Sequence, residues 1–498
     1  MKVLFIISDL FIGEPIGALQ LAAIVKKQGC RVDLIGLRSH PLFLTLERIQ
    51  PDVVAYSAAS PEILLFKKAD QVVRKWCRNN GRQVLRIMGG PHPTYFPEIL
   101  DQMDLDAICI GEGDHAITAI LYCFSHHSPI KGIPNVVPRS GSPNDCRYEL
   151  ISNLDELPFI DREVFYQAMP IAKDFGLRSI MVGRGCPYDC TYCHNHAFKK
   201  LFQGCGSILR RRSVEHVIEE LKHLRDNYPR VTLFKFTDDT FAHRIDNWLR
   251  EFLDQYKKEI GIPFYCLMRS NTLSREMARL LSEAGCVSMC MAVEHGNERV
   301  RNEVLKRGIS DELLINSFLY AREFGIKTWG NTLFGIPGTT FQDDYESFIF
   351  TRKLAIVAPT FGPFYPYPKT VLTNKAIECG WLPADYDSTH SYGHISPLNC
   401  FSEEDKQKQL ALSYLGPLFC SLPDFMLPVL KMILKIRFMT LFRYIGASWF
   451  IIWTSYNIFP NIYPKNPFKL LKIFFKSLRF WVPGKEIHDL LEKNKADL

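Results

Sequence analysis

RSIMVGRGCPYDCTYCHNH, residues 178–196, passes from a short apolar run straight into a loop holding Cys186, Cys190 and Cys193. RSIMVG reads as a buried strand, and Gly185 and Pro187 then suit a tight turn. In α/β folds the loops after the carboxyl ends of parallel strands carry the chemistry. Three cysteines within eight positions ask for a common task. A structural zinc site closes with four ligands, so His194 or His196 would have to complete one. A [4Fe–4S] cluster held by three thiolates differs, because its fourth iron stays open to a small ligand.

The same strand-then-helix rhythm continues outward. Residues 176–370 offer strands at RSIMVG, VTLFKFTDD, FYCLMRSN, VSMCMAVEHG, KTWGNTLFGIPG and APTFGPFYPYP, with amphipathic helices between them. That pattern predicts a partial parallel (β/α) barrel. Residues 1–135 alternate likewise, from KVLFIIS through DVVAYSA and QVLRIMGG to DAICIGEGD, and predict a doubly wound, Rossmann-like sheet. Ligands of such sheets bind at the strands' carboxyl ends, where this chain places Gly13, Gly17, Gly89, Gly90, Gly111, Glu112 and Gly113. No GxGxxG follows the first strand, and Glu14 would oppose a pyrophosphate, which argues against a dinucleotide. Residues 136–175 read as a connector. Residues 371–498 read as a mostly helical, basic and aromatic C-terminal region.

At 498 residues the chain is long enough for two to four domains. A net charge of +7 without an arginine-rich stripe along one element argues against a nucleic-acid partner. In MKVLFIISDLFIG, Asp9 interrupts the apolar run and no small-residue cleavage site follows, so the segment reads as a first strand. Fifteen cysteines then imply a reducing, cytoplasmic compartment. Cys30, Cys109, Cys123, Cys266, Cys286 and Cys290 read as core residues.

CPYDCTYC, with Tyr192 before its last cysteine, resembles the CxxxCxxC signature of the radical S-adenosylmethionine (radical SAM) superfamily. The resemblance implies a [4Fe–4S] cluster on Cys186, Cys190 and Cys193 whose open iron chelates S-adenosylmethionine and, once reduced, cleaves it to a 5′-deoxyadenosyl radical. It further implies that Asp238 and Asp239 of TDDTF meet the amino group of the cofactor, Arg269 and Asn271 its carboxylate, and Glu294 its ribose hydroxyls. The backbone at Gly335 and Pro337 would approach its adenine. An external electron donor of flavodoxin or ferredoxin type is implied as well.

The N-terminal residues GEPIGALQLAAIVKKQG, GGPHPTYFPE and DAICIGEGD resemble the cobalamin-binding domain often fused ahead of such barrels, with His92 among the carried positions. One departure stands out: no Asp-x-His-x-x-Gly histidine is present for the lower face of cobalt. The loop YSAASPE offers only Tyr56, Ser57 and Ser60 there, so cobalamin is expected without a histidine on its metal.

Between residues 421 and 485 there are ten lysines or arginines and one acid, Asp424, among heavy apolar content. Lys469, Lys472, Lys476 and Arg479 recur at helical spacing, the dress of an interfacial helix on anionic lipid; a helical cap on the barrel is the plainer reading, and the polar residues of 444–464 argue against a span. Together the two resemblances imply a cobalamin-dependent radical SAM enzyme, with methyl transfer to an unactivated carbon of a small, hydrophobic, lipid-like or anionic substrate leading. A radical cyclase or oxidoreductase and a non-catalytic cofactor sensor are the alternatives. Tyr365, Tyr367 and Cys400 are candidates for proton handling.

Overall fold

A computed structural model describes residues 1–9, 13–386, 395–436, 438–464 and 466–481, the side chains of 472 and 476–481 excepted. The first sheet comprises β1 (Lys2–Ile7), β2 (Arg31–Gly36), β3 (Val53–Ser57), β4 (Leu85–Gly89), β5 (Ala107–Cys109) and β6 (Val136–Pro138), in the order β2-β1-β3-β4-β5-β6. Its first five strands are parallel, and their near-continuous Val/Ile/Leu runs bury on both faces under helices such as Ile16–Lys27 and Ile63–Asn79.

Part of the expected connector belongs to this unit. β6 pairs antiparallel with β5, and the helix Arg162–Ala168 packs Val164, Phe165 and Tyr166 into the core beneath the sheet. A three-residue edge strand is too short to show a period, so sequence pattern passes over it.

The second sheet follows chain order. β7 (Leu177–Ile180), β10 (Leu233–Phe236), β11 (Phe264–Met268), β12 (Cys286–Met291), β13 (Lys327–Phe334) and β14 (Ala358–Pro363) are all parallel. Two-residue strands β8 (Gly183–Arg184) and β9 (Arg210–Arg211) pair beside the cysteine loop. Outward residues such as Phe234, Phe236, Phe264, Met289 and Met291 pack under the surrounding helices. This is the expected partial barrel, open between β7 and β14.

The C-terminal helices Glu403–Cys420 and Met439–Asn457 lie along β14, and Gly446 lets them cross so closely that a Cβ there would stand 2.3 Å from the Tyr414 carbonyl oxygen. The chain then crosses the amino-terminal end of the barrel. Ile458 O accepts from Ser288 Oγ (2.6 Å), Asn461 O from Thr232 Oγ1 (3.0 Å) and Ile462 O from Gly176 N (2.7 Å), so residues 458–462 form a floor. Among the described residues no helix is long and apolar enough to cross a membrane.

Candidate active site between the two sheets

The carboxyl ends of β1, β3, β4 and β5 face the loop that follows β7, and a cavity of about 430 Å³ lies between them. One wall is the glycine-rich edge of the first sheet: Gly17, Ser57, Gly89, Gly90 and Gly111 to Gly113. Opposite stand Met181, Gly183 to Gly185 and Asp239 of the barrel, with Leu154, Leu157 and Ile160 closing one side. The glycines are needed where backbones meet. A Cβ on Gly90 would lie 2.9 Å from Ala58 O, and one on Gly111, whose φ is +77°, would lie 2.2 Å from the Phe202 ring. Such a backbone-walled, apolar cleft fits a flat macrocycle.

Two buried ion clusters rivet the sheets together on either side of this cavity. Arg184 makes a bidentate pair with Asp114 (2.8 and 3.0 Å), and Arg210 one with Glu112 (2.8 and 2.9 Å). Burial disfavours the Glu112 carboxylate, yet the Arg210 hydrogen bonds, with the charges of Arg184 and Arg210, hold it below the usual carboxylate range. The second cluster joins Glu14 to Arg162 (3.2 Å), Arg162 to Glu220 (3.1 Å) and Glu220 to Arg212 (2.5 Å). Glu112, expected at a cofactor, is therefore a rivet whose carboxylate is already used. Long-range pairing of this kind leaves no trace in sequence spacing.

Several other expected positions sit off the cavity wall. Ser60 and His92 are buried and bond each other, Oγ to Nδ1 at 3.1 Å, while the His92 ring stacks on Phe96. Burial, helped by the charge of Lys67, lowers the His92 pKa to about 4. Tyr56 turns into the helix layer, where its hydroxyl donates to Asp70 (3.0 Å). Gly13 is exposed. Of the polar residues expected beneath cobalt, Ser57 alone lines the cavity, and among the described residues no histidine lines it. Cys109, read as a core residue, lines it too.

On the barrel side Cys190 is buried and Cys186 and Cys193 are half-buried, all three free thiols. Burial pushes the Cys186 thiol up and that of Cys193 to about 11. Beside the third cysteine, Arg269 Nη1 lies 3.2 Å from Cys190 Sγ, its guanidinium stacks 3.9 Å above the Tyr188 ring, and its Nε donates to Asn271 (2.8 Å). Among the described residues no three His, Cys, Asp or Glu side chains close around a single metal ion. Three free thiols on one loop beside a guanidinium fit a cubane cluster, whose ligands stand wider apart.

Asp238 and Asp239 part company. Asp238 is buried and accepts from Val182 N (3.1 Å) and Gly183 N (2.7 Å), so it shapes the start of the cysteine loop. Burial, against those two hydrogen bonds, raises its pKa to about 7. The Asp239 carboxylate makes no hydrogen bond or ion pair among the described residues and lines the cavity. Glu294, in the left-handed region at φ 63°, accepts from Tyr192 Oη (2.7 Å) and Arg307 Nη1 (3.0 Å), a triad that ties the last cysteine's neighbour to β12's end. Gly335, at φ +67°, donates to Asp344 (2.9 Å) and opens the turn to the buried Ile336 and Pro337. Tyr367 packs its ring against His194, which in turn stacks on Tyr95 of the first unit. Tyr365 is buried at the end of the barrel, and Cys400 packs in the apolar cluster that includes Phe364 and Tyr192.

Two family models match these two units: a B12 binding domain over residues 3–121 and the radical SAM superfamily over 180–349. An uncharacterized methyltransferase of Pyrococcus horikoshii is 27% identical over 420 residues, covering 81% of this chain and 87% of its own. A hopanoid C-3 methylase of Methylococcus capsulatus is 26% identical, covering 72% and 67%. The cobalamin-dependent S-adenosylmethionine radical enzyme OxsB, solved with aqua-cobalamin bound, shares the fold at a TM-score of 0.66 and 14% identity, over 100% of this chain and 80% of that one. With both domain models in this order, and the glycine edge and the cysteine loop facing one cavity, the chain is a member of the cobalamin-binding radical SAM enzyme family.

Proposed function

We propose that this chain is a radical SAM methyltransferase acting on an unactivated carbon of a small apolar substrate. One observation carries the reading: the wall that suits a corrinoid borders the same cavity as Gly183 to Gly185 and Asn195, which flank the cysteine loop. When bound, the cluster with S-adenosylmethionine supplies a 5′-deoxyadenosyl radical and cobalamin supplies a methyl group. The chain's own part is to hold and to exclude. Cys186, Cys190 and Cys193 would hold the cluster, Asp239 would receive the cofactor's amino group, and Arg269 with Asn271 would meet its carboxylate. Glu294, held by Tyr192 and Arg307, would meet the ribose hydroxyls, and the backbone at Gly335 and Pro337 the adenine. Ser57, Gly17, Gly89, Gly90, Gly111 and Gly113 would make the corrinoid's bed. The two ion clusters keep the sheets at a fixed separation.

The C-terminal face supports a lipid-like source for the substrate. On the helix Met439–Asn457, Phe442, Gly446, Ala447, Ile451 and Thr454 are buried, while Leu441, Tyr444, Ile445, Ile452 and Tyr456 line the opposite, exposed side. Phe438 and Met432 extend this apolar strip, and Lys431 and Lys435 flank it. In Pro467–Trp481, Phe468, Leu471 and Phe475 are exposed; the side chains of Lys472, Lys476 and Arg479 lie outside the described residues. An apolar strip flanked by cations suits the surface of an anionic bilayer and, through it, a lipid-like substrate. A flavodoxin- or ferredoxin-type donor completes the partners.

Methyl-labelled S-adenosylmethionine tests the chemistry. Label should pass into an organic extract under reducing, anaerobic conditions, and C193A should abolish the transfer; label transfer independent of the cysteines would refute the reading. Flotation tests the surface: the chain should float with phosphatidylglycerol vesicles and L441Q/I445Q/I452Q should not.

A further inference from the structure

Side chains of the barrel strands alternate, and the inner face is hollow. On β13, outward Thr328, Gly330, Thr332 and Phe334 are buried, while inward Trp329, Asn331 and Leu333 keep part of their surface open. Lys235 of β10 and Thr237 just after it are also part-open, and Ile458 and Phe459 floor the space. Nearly every polar group facing this hollow has a partner. Trp329 Nε1 donates to Thr360 Oγ1 (3.0 Å), Thr360 Oγ1 to Asn331 Oδ1 (2.5 Å) and Thr237 Oγ1 to Ile180 O (3.1 Å).

Lys235 is the exception. Phe234 and Phe236 on either side of it are fully buried in the outer core, so the strand's alternation turns Lys235 inward. Its Nζ makes no hydrogen bond or ion pair among the described residues and lies 5.9 Å from the ring centres of both Tyr265 and Phe459. Burial lowers its pKa below that of an ordinary lysine. A cation half-shielded from water, with aromatic rings beside it and no counter-charge, is costly and is kept where an anion can arrive.

We propose that the Lys235 ammonium is the docking point for the anionic group of the substrate, a carboxylate or phosphate on an otherwise apolar molecule. The aromatic floor of Tyr265, Trp329 and Phe459 receives the part next to that group, and the body runs up toward the cysteine loop. Asp239, at the cavity, stands four residues beyond Lys235, so the reacting carbon would lie roughly 13 Å from the anionic group at about 3.3 Å per strand residue. The inference rests on the methyl-transfer reading only for the reason a substrate enters. The preference of the hollow for amphiphilic anions is measurable without turnover.

Fluorescence titration of the cobalamin-loaded chain with anilinonaphthalene sulfonate, and with its uncharged counterpart phenylnaphthylamine, separates charge from apolar contact. Lys235→Met should weaken the sulfonate at least about tenfold, the worth of one charged hydrogen bond, and leave the neutral probe within about twofold. Lys235→Arg should restore the sulfonate. Equal weakening of both probes by Lys235→Met would make the residue a packing element, and no weakening of either would place anion binding elsewhere; either result overturns the proposal. Should Lys235→Met fail to retain cobalamin, Lys235→Gln takes its place in the same comparison. Loss of methyl transfer with the charge-selective binding intact would instead count against the reaction assigned above.

Discussion

The buried side chains Glu294 and His92 show how one residue constrains the site. Removing the Glu294 charge leaves Arg307, itself buried, without its carboxylate, so Glu294→Leu is expected to cost about 3–5 kcal/mol of stability. Tyr192→Phe removes only one hydroxyl from that triad and should cost about 1 kcal/mol, read from urea midpoints. His92 gives a pH dependence. Its folded pKa, about 4, is below the unfolded value, so the unfolded chain takes up the proton first. Its contribution is complete above about pH 6.5 and is lost as pH falls toward 4, about 3 kcal/mol in all. Wild type should therefore lose more stability between pH 7 and pH 5 than His92→Gln does; equal losses would show that the ring is protonated in the folded chain.

The elements were largely legible in the sequence. All six barrel strands follow from apolar runs that end in turn residues, and the first five strands of the N-terminal sheet follow likewise. What escaped was set by distance along the chain. β6 is three residues long, and the helix Arg162–Ala168 finds its place only against a core built from residues far earlier. The cysteine loop could be read because its ligands are local, whereas the pairing of Glu112 with Arg210, 98 residues away, could not, though Glu112 lines the cavity as its glycine neighbours do. The turn after β5 makes the local rule testable. Gly111→Ala combines a strained φ with a Cβ inside the Phe202 ring, and should cost about 3 kcal/mol or more; a cost under 1 kcal/mol would mean that the turn and Phe202 relax freely.

For the whole molecule, function depends on two sheets held at a fixed separation across a cavity. Arg210→Met leaves the Glu112 carboxylate buried with less of its counter-charge, and should lower stability by about 3–5 kcal/mol while releasing cobalamin on gel filtration. The floor of residues 458–462 and the cluster loop lie at the barrel's two ends, which would keep the substrate proposed above away from water at the reacting groups. The measurement that bears most directly on this account is the yield of 5′-deoxyadenosine and S-adenosylhomocysteine from the fully reconstituted chain given reductant, S-adenosylmethionine and a lipid extract. The two products should rise together. Deoxyadenosine without S-adenosylhomocysteine, from protein carrying its full cluster and corrinoid, would contradict methyl transfer.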